Sequence, residues 1–515
     1  MTKNVQPDFS GKSRLAVNVI TSWLSHLLII VTGFFMPRVI DAQLGQSIVG
    51  IWDFAWSLVA YLSLAQLGIG SSLNRFVANF RAQNENEKLQ TAISTVTLIQ
   101  FIISLFIATV IATIAYFLPS WYHDRLGEDV YTAQLVVLFL GLAIAAQFLF
   151  DTSRGVLTGS HRWDLYNALY SGTQLICSLI MISALLLGHG LVTISLIYLS
   201  MITIEGIARS LLALKICPQS RFRFSAISIA FAKEITSFGL KAFTMGISGI
   251  IVIQGCNIMV ASTIGHAALA IIARPNALIR HIQTFITRFT FVLTPMAGPI
   301  MSQEGPEALR AFTLDCTRYG LAFTLPIITL FGFYGDELIY LWMGPHYVNQ
   351  NLVHILALGF ALSLSQGSMT RIMIGLNYHG KAAFITMGLS LPMFAIGLLI
   401  IEKVGHSLEA YAMLMGAIST TVHGIALPCY ACYKLEIPLL TYIRSVFGRM
   451  LPLWAPTTLL LIFLDLTAPD DKTWVLFNSG VYGLMTAALY WRFILPFDTK
   501  QKIRANYLRI ASTFR

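Results

Sequence analysis

Charge is what this sequence lacks. Charged residues make up 11% of its 515 positions and hydrophobic residues 56%, where a soluble domain carries about 25% charged residues. With a mean hydropathy of +0.71, the composition excludes a set of soluble globular domains and points to a polytopic membrane protein. Cysteine is sparse as well. Cys177, Cys217, Cys256, Cys316, Cys429 and Cys432 make no extracellular disulfide framework, and the CxxC pair Cys429/Cys432 ends an apolar run, where small core residues are the expected role. The start lacks a signal-peptide pattern: 1–14 is polar, and the apolar run after it is too long for an h-region and has no small-residue cleavage site. Large loops and metal-binding DxD loops are missing too. Their absence disfavours a membrane-embedded polymerase or glycosyltransferase, so no catalytic residue, metal site or bound cofactor is expected.

What is present is a series of long apolar runs. Fourteen spans of about 20 residues or more, the length a hydrocarbon core of about 30 Å requires, fall near 15–37, 47–74, 91–118, 130–150, 165–187, 190–213, 236–263, 267–300, 319–341, 351–374, 382–401, 408–433, 450–466 and 473–494. With the N-terminus in the cytoplasm, alternate loops collect nearly all the Lys and Arg. Only Arg38, Arg125, Lys403 and Lys472 fall outside, beside Asp124, Glu128, Asp129, Asp336, Glu337, Asp465, Asp470 and Asp471. This asymmetry is a topology signal, not a nucleic-acid signal. It predicts an all-α fold with both termini cytoplasmic: a tail at 1–14, an N-terminal lobe at 15–213, a linker at 214–235 expected as an interfacial helix, a C-terminal lobe at 236–433, an appended pair of spans within 434–494 and a basic tail at 495–515.

Four cations are left inside the membrane: Lys241, Arg274, Arg280 and Arg288. Only Asp53 and Glu205 remain there as acids, and Glu205 lies one turn before Arg209, the spacing of a local i,i+4 pair. The eighth span holds three of the arginines together with His281 and Asn276, and no acid. Arg274, His281 and Arg288 recur every seven residues, so on a helix they share one stripe that drifts about 20° per step. An arginine at mid-bilayer costs at least about 2.5–3.5 kcal/mol and is expected where it faces water, a partner or a ligand. The first span carries Asn18, Ser22, Ser25 and His26, the second Asp53 and Ser57, and the seventh Lys241, Thr244 and Ser248. Each set forms one polar stripe, for which helix–helix pairing is the simplest role of the hydroxyls and a cavity the expected surrounding of Lys241 and the arginines.

The chain also repeats. Leu44-Gly45 followed by Val49-Gly50-Ile51 opens the second span, and Ile264-Gly265 followed by Leu269-Ala270-Ile271 opens the eighth. Val156-Leu157-Thr158-Gly159 and Ile372-Met373-Ile374-Gly375 precede the fifth and eleventh. Spans 1–6 and 7–12 therefore read as two related bundles, and parallel repeats of this kind place a substrate site at their interface. Together with Leu67-Gly68-Ile69-Gly70-Ser71-Ser72 running on to Arg75 and Ala78, and with Pro295, these features resemble the multidrug/oligosaccharidyl-lipid/polysaccharide (MOP) flippase superfamily, on its polysaccharide exporter and O-antigen flippase branch. The resemblance implies two pseudo-symmetric six-helix bundles plus two C-terminal helices around a central cleft lined by helices 1, 2, 7 and 8.

That resemblance sets the functional expectation. The cargo is a polyprenyl-diphosphate-linked glycan, moved from the inner to the outer leaflet of the bacterial cytoplasmic membrane by alternating access, for O-antigen or exopolysaccharide assembly alongside other polysaccharide-assembly proteins. Lys241, Arg274, Arg280, Arg288, Asn18, His26 and Asn276 are expected at the diphosphate and sugars, since guanidinium forks suit diphosphates. Asp53 and Arg274 are expected as a gate, with H⁺ or Na⁺ coupling as a further option. A peptidoglycan-precursor flippase remains an alternative reading. A cation-coupled multidrug exporter is a weaker one, because it wants buried carboxylates where this chain has arginines.

Overall fold

The computed structural model describes residues 15–66, 69–290, 293–467 and 474–494. Among these residues the chain is helical and has no strand. The helices are α1 (Leu15–Leu44), α2 (Gln46–Leu62), α3 (Ile69–Ala82), α4 (Asn86–Leu126), α5 (Val130–Leu149), α6 (Asp151–Gly159), α7 (Trp163–Leu186), α8 (Leu191–Ile216), α9 (Ile229–Thr263) and α10 (His266–Thr290). They continue as α11 (Leu293–Gln303), α12 (Pro306–Met343), α13 (Gln350–Ser365), α14 (Gly367–Gly375), α15 (His379–Val404), α16 (Leu408–Ile418), α17 (Leu427–Lys434), α18 (Leu439–Leu466) and α19 (Trp474–Phe493). A π-helical stretch, Ser419–Ala426, joins α16 to α17.

The protein is a polytopic all-α membrane protein. Eleven stretches of the described residues are long and apolar enough to cross a bilayer, and one of them, Asn86–Leu149, spans both α4 and α5. Among the described residues, helix runs through each of the fourteen expected segments, but α10 and α19 fall outside the eleven; α10 carries the arginines that dilute its hydropathy. Along α4, Phe101, Ile102, Leu105 and Phe106 are each more than half exposed, an apolar surface that suits lipid rather than water.

The chain packs as two units. The first is Met1–Ala273 with Ser390–Tyr411, and the second is Arg274–Leu389 with Ala412–Arg515. Within the first, α4 packs on α5, α1 on α7, α5 on α8, and α2 on both α5 and α9. A core of Leu73, Val77, Leu89, Ile93, Val96, Val156 and Leu157 ties α3, α4 and α6 together. Within the second, α12 packs on α13 and α18, and α18 on α19. There Gly359 of α13 lies so close to Gly416 of α16 that a Cβ on it would stand 2.4 Å from the Gly416 Cα. Small residues at such crossings let backbones approach where the bilayer offers no hydrophobic drive.

The expected interfacial helix in the 214–235 linker is not there. Two single turns, Pro218–Ser220 and Phe224–Ala226, precede α9. The reason is where the backbone donors go. The Arg223 amide donates to Ser94 Oγ (3.1 Å) and the Ser228 amide to Thr95 Oγ1 (3.0 Å), so α4 satisfies groups a helix would have satisfied itself. Ser228 then caps α9, its hydroxyl accepting from the Phe231 amide.

Candidate functional site

The arginine-bearing helix forms as one element from His266 to Thr290, entered through Gly265 at φ +130°. Gly45 opens α2 the same way at φ +86°. Both turns need the left-handed region, which glycine reaches without cost, and both lie in the repeated motif. Pro275 sits inside α10 and brings no N–H for the carbonyl of Ile271.

The guanidiniums of α10 do not share one environment. Arg274 is 2% exposed and its guanidinium lies over the Trp342 ring, 5.7 Å from the centroid, a cation–π arrangement. Asn276 is also buried, its amide donating to Met415 Sδ at 3.6 Å. Arg280 is exposed and His281 half-buried. At about 100° per residue, Arg280 points roughly 120° away from Arg274. The heptad stripe thus starts from a buried arginine, and the exposed one lies off it. The side chains of Arg288 and Lys241 lie outside the described residues.

On α1, Asn18 donates to the His161 carbonyl (3.3 Å) and accepts from the Asp164 amide (3.1 Å), while Ser22 accepts from Asn167 of α7 (2.8 Å). Both ends of the Asn18 amide are committed to the turn before α7. In this structure it ties α1 to the start of α7. His26 and Asp53 are half-buried on α1 and α2.

Two polar networks in the first unit were not anticipated as networks. The first joins α2 to α9 and the first turn of α10. His266 Nε2 meets Ser47 Oγ at 2.7 Å, Asn257 donates to Ser57 Oγ at 3.2 Å, and Tyr61 donates to the Ile251 carbonyl at 3.1 Å. Tyr122 of α4 adds a 3.0 Å contact to Ser262. Gly50 makes this approach achievable, because a Cβ there would lie 1.8 Å from the His266 carbonyl oxygen. The signal was the repeated turn, Leu44-Gly45 and Ile264-Gly265, read as kinship rather than as a contact.

The second is a buried ion network on α4, α6 and α8. The expected Glu205–Arg209 pair is present at 3.0 Å, both partners buried. Arg209 also donates to Ser153 Oγ (2.9 Å) and to the Phe150 carbonyl (3.4 Å). Asp151, 4% exposed, pairs with Arg154 at 2.9 Å and accepts from Gln100 of α4 at 3.5 Å. From the sequence, Arg154 read as a loop cation.

Other sites are poorer candidates. Among the described residues no group of three or more His, Cys, Asp or Glu is placed to hold a metal. An apolar cavity of about 390 Å³, lined by Leu325, Phe333, His354, Leu358 and Trp454 in the second unit, suits hydrocarbon better than a charged head group.

Comparison with known proteins follows this geometry. A family model described as "Polysaccharide biosynthesis protein" matches residues 62–351, more than half of the chain. No curated protein matches in sequence. Among solved structures, an inward closed conformation of the lipid II flippase MurJ superposes with a TM-score of 0.68 at 13% identity, covering 93% of this chain and 98% of that one. An inward-facing multidrug resistance MATE transporter of the MOP superfamily gives 0.65 at 15% identity, over 80% and 94%. A MOP superfamily transporter from Pyrococcus furiosus, described as having a binding pocket of reverse polarity, gives 0.58 at 14% identity, over 83% and 96%.

Proposed function

Because this chain belongs to the polysaccharide biosynthesis protein family and shares the fold of MOP superfamily transporters, we propose that it flips a polyprenyl-diphosphate-linked oligosaccharide from the inner to the outer leaflet of the bacterial cytoplasmic membrane. The observation that supports the anionic cargo is a helix, α10, that places Arg274, Arg280 and Arg288 in an apolar chain without an acid between them. Arg280 is the exposed member and the first candidate for a diphosphate oxygen, with Lys241 and Arg288 as further cations. Planar guanidinium donors match paired phosphate oxygens bidentately. An inside-negative potential favours outward movement of an anion by about 2.3 kcal/mol per charge per 100 mV.

Arg274 takes a different part in this reading. Buried on Trp342, it serves as a conformational contact, with Asp53 as the proposed partner that it gains and loses as the protein alternates. Asp53→Asn keeps the shape and removes the charge. It is expected to slow flipping without lowering protein abundance, and unchanged flipping rates would discard the gate.

The experiment for the whole reading is reconstitution into liposomes with a polyprenyl-diphosphate glycan, followed by access of an external glycan-modifying enzyme. Protein-dependent exposure of lipid whose mass is unchanged is the expected result. Exposure no faster than in empty vesicles, with either an O-antigen-type or a peptidoglycan-type head group, rejects the flippase reading. Preference between the two head groups separates the two cargo classes, since both carry the same diphosphate.

A further inference from the structure

His266 is built into a contact in a way that its chemistry makes sensitive to protons. Its Nε2 meets Ser47 Oγ at 2.7 Å, its carbonyl lies over Gly50, and its Nδ1 is buried with no hydrogen-bond partner. A neutral imidazole tolerates this arrangement, because one nitrogen bonds and the other is left as an apolar-facing lone pair or N–H. An imidazolium does not, because both nitrogens then carry N–H groups and the charge needs solvation. The contact joins the first turn of α2 to the first turn of α10. The loop charges place that end of both helices outside.

We propose that His266 is a proton-binding site at the outer end of α2 and α10, and that proton uptake from the outer side releases this contact. The charged surroundings do not remove the effect. Asp129, on the turn between α4 and α5, favours the charged ring, but burial outweighs it and holds the imidazole below its ordinary value. α2 carries no titratable group before Asp53, α9 none after Cys256, and α10 none between His266 and Arg274. The end of α1 brings the Arg38–Asp41 pair, at 3.7 Å. The turn before α16 brings Tyr411 to Thr263 (3.2 Å), with His406 on Tyr411 and Glu402 on His406.

The sign follows from linkage. The closed contact holds His266 with a depressed affinity for protons, so the released form binds more of them. Closure is at full strength above the ordinary histidine value of about 6.5 and weakens as the pH falls below it, by up to about tenfold per pH unit. Within the proposed flippase, acid outside the cell would favour the outward-open state. This physiological use rests on the flippase reading, whereas the proton site itself does not.

The test reads the contact directly. In a variant with the six native cysteines replaced, Val49→Cys puts a thiol on α2 at a fully buried position, and a membrane-impermeant maleimide reports its opening in intact cells. Rates are compared at pH 5.5 and 7.5 after normalising to a free exposed thiol at each pH. Acid is expected to raise the normalised rate by up to about tenfold with His266 present, and to leave it unchanged in His266→Gln, which keeps a donor for Ser47 but cannot titrate. Ser47→Ala is expected to raise the rate at pH 7.5. A pH response that survives in His266→Gln, or no response with His266 present, overturns the proposal. Labelling needs no cargo, so a positive result with no flipping in liposomes would reject the flippase reading alone.

Discussion

Arg209→Ala is expected to remove most of the folded protein from the membrane. Arg209 is 2% exposed and Glu205 3% exposed, and the guanidinium makes three bonds at once, to Glu205, Ser153 and the Phe150 carbonyl. Truncating it strands the Glu205 carboxylate in a low-dielectric interior, while the Ser153 hydroxyl keeps its bond to the Phe150 carbonyl. Breaking a buried pair by removing one member costs about 3–5 kcal/mol, against a total stability of about 5–15 kcal/mol for an ordinary domain. The companion Glu205→Gln/Arg209→Met removes both charges and fills the space, and is expected to recover most of that loss. Thermal unfolding in detergent, followed by size-exclusion fluorescence, separates the two. An Arg209→Ala protein that unfolds at the original temperature would mean the network contributes nothing to holding α4, α6 and α8 together.

That network also shows where sequence reading stops. The Glu205–Arg209 pair was legible because an i,i+4 spacing is local and a helix fixes its geometry. Asp151 and Arg154 were not, because they sit where α5 gives way to α6 and only the packing of α4, α7 and α8 decides that such a junction is buried. The fold class was legible for the opposite reason: a bilayer imposes length and apolarity on each span, so composition alone carries it. No separate helix forms in the 214–235 linker between Ile216, where α8 ends, and Ile229, where α9 begins, because Ser94 and Thr95, more than 120 residues earlier in the chain, take backbone donors there. The repeat was visible as the Leu44-Gly45 and Ile264-Gly265 turns, but their contact through Gly50 and His266 was not, since similarity between two segments says nothing about whether they touch. On α10 the heptad gave the right helix and the wrong partition. Spacing shows which residues share a stripe, and only the position of Trp342 shows that the stripe through Arg274 is covered.

The partition on α10 leads to the second large effect. Arg280→Ala is expected to lower flipping by about 10- to 150-fold, the equivalent of losing a charge-assisted contact of about 1.5–3 kcal/mol, while the protein reaches the membrane at its usual level. Arg280 is exposed, so its truncation leaves no buried cavity and folding has little to lose. Arg274→Ala is expected to behave differently: it vacates the face of Trp342 and a fully buried site, so abundance and thermal stability fall together with transport. Arg280→Lys supplies the finer distinction. If the diphosphate is held by a planar fork, lysine keeps the charge but not the bidentate geometry and recovers only part of the rate; if the arginine acts only through the field it sets up, lysine recovers nearly all of it. Flipping measured in liposomes with matched protein content decides between these outcomes. Full activity in Arg280→Ala would show that the exposed cation of α10 does not hold the cargo, and would move the search for the diphosphate site to Lys241 and Arg288.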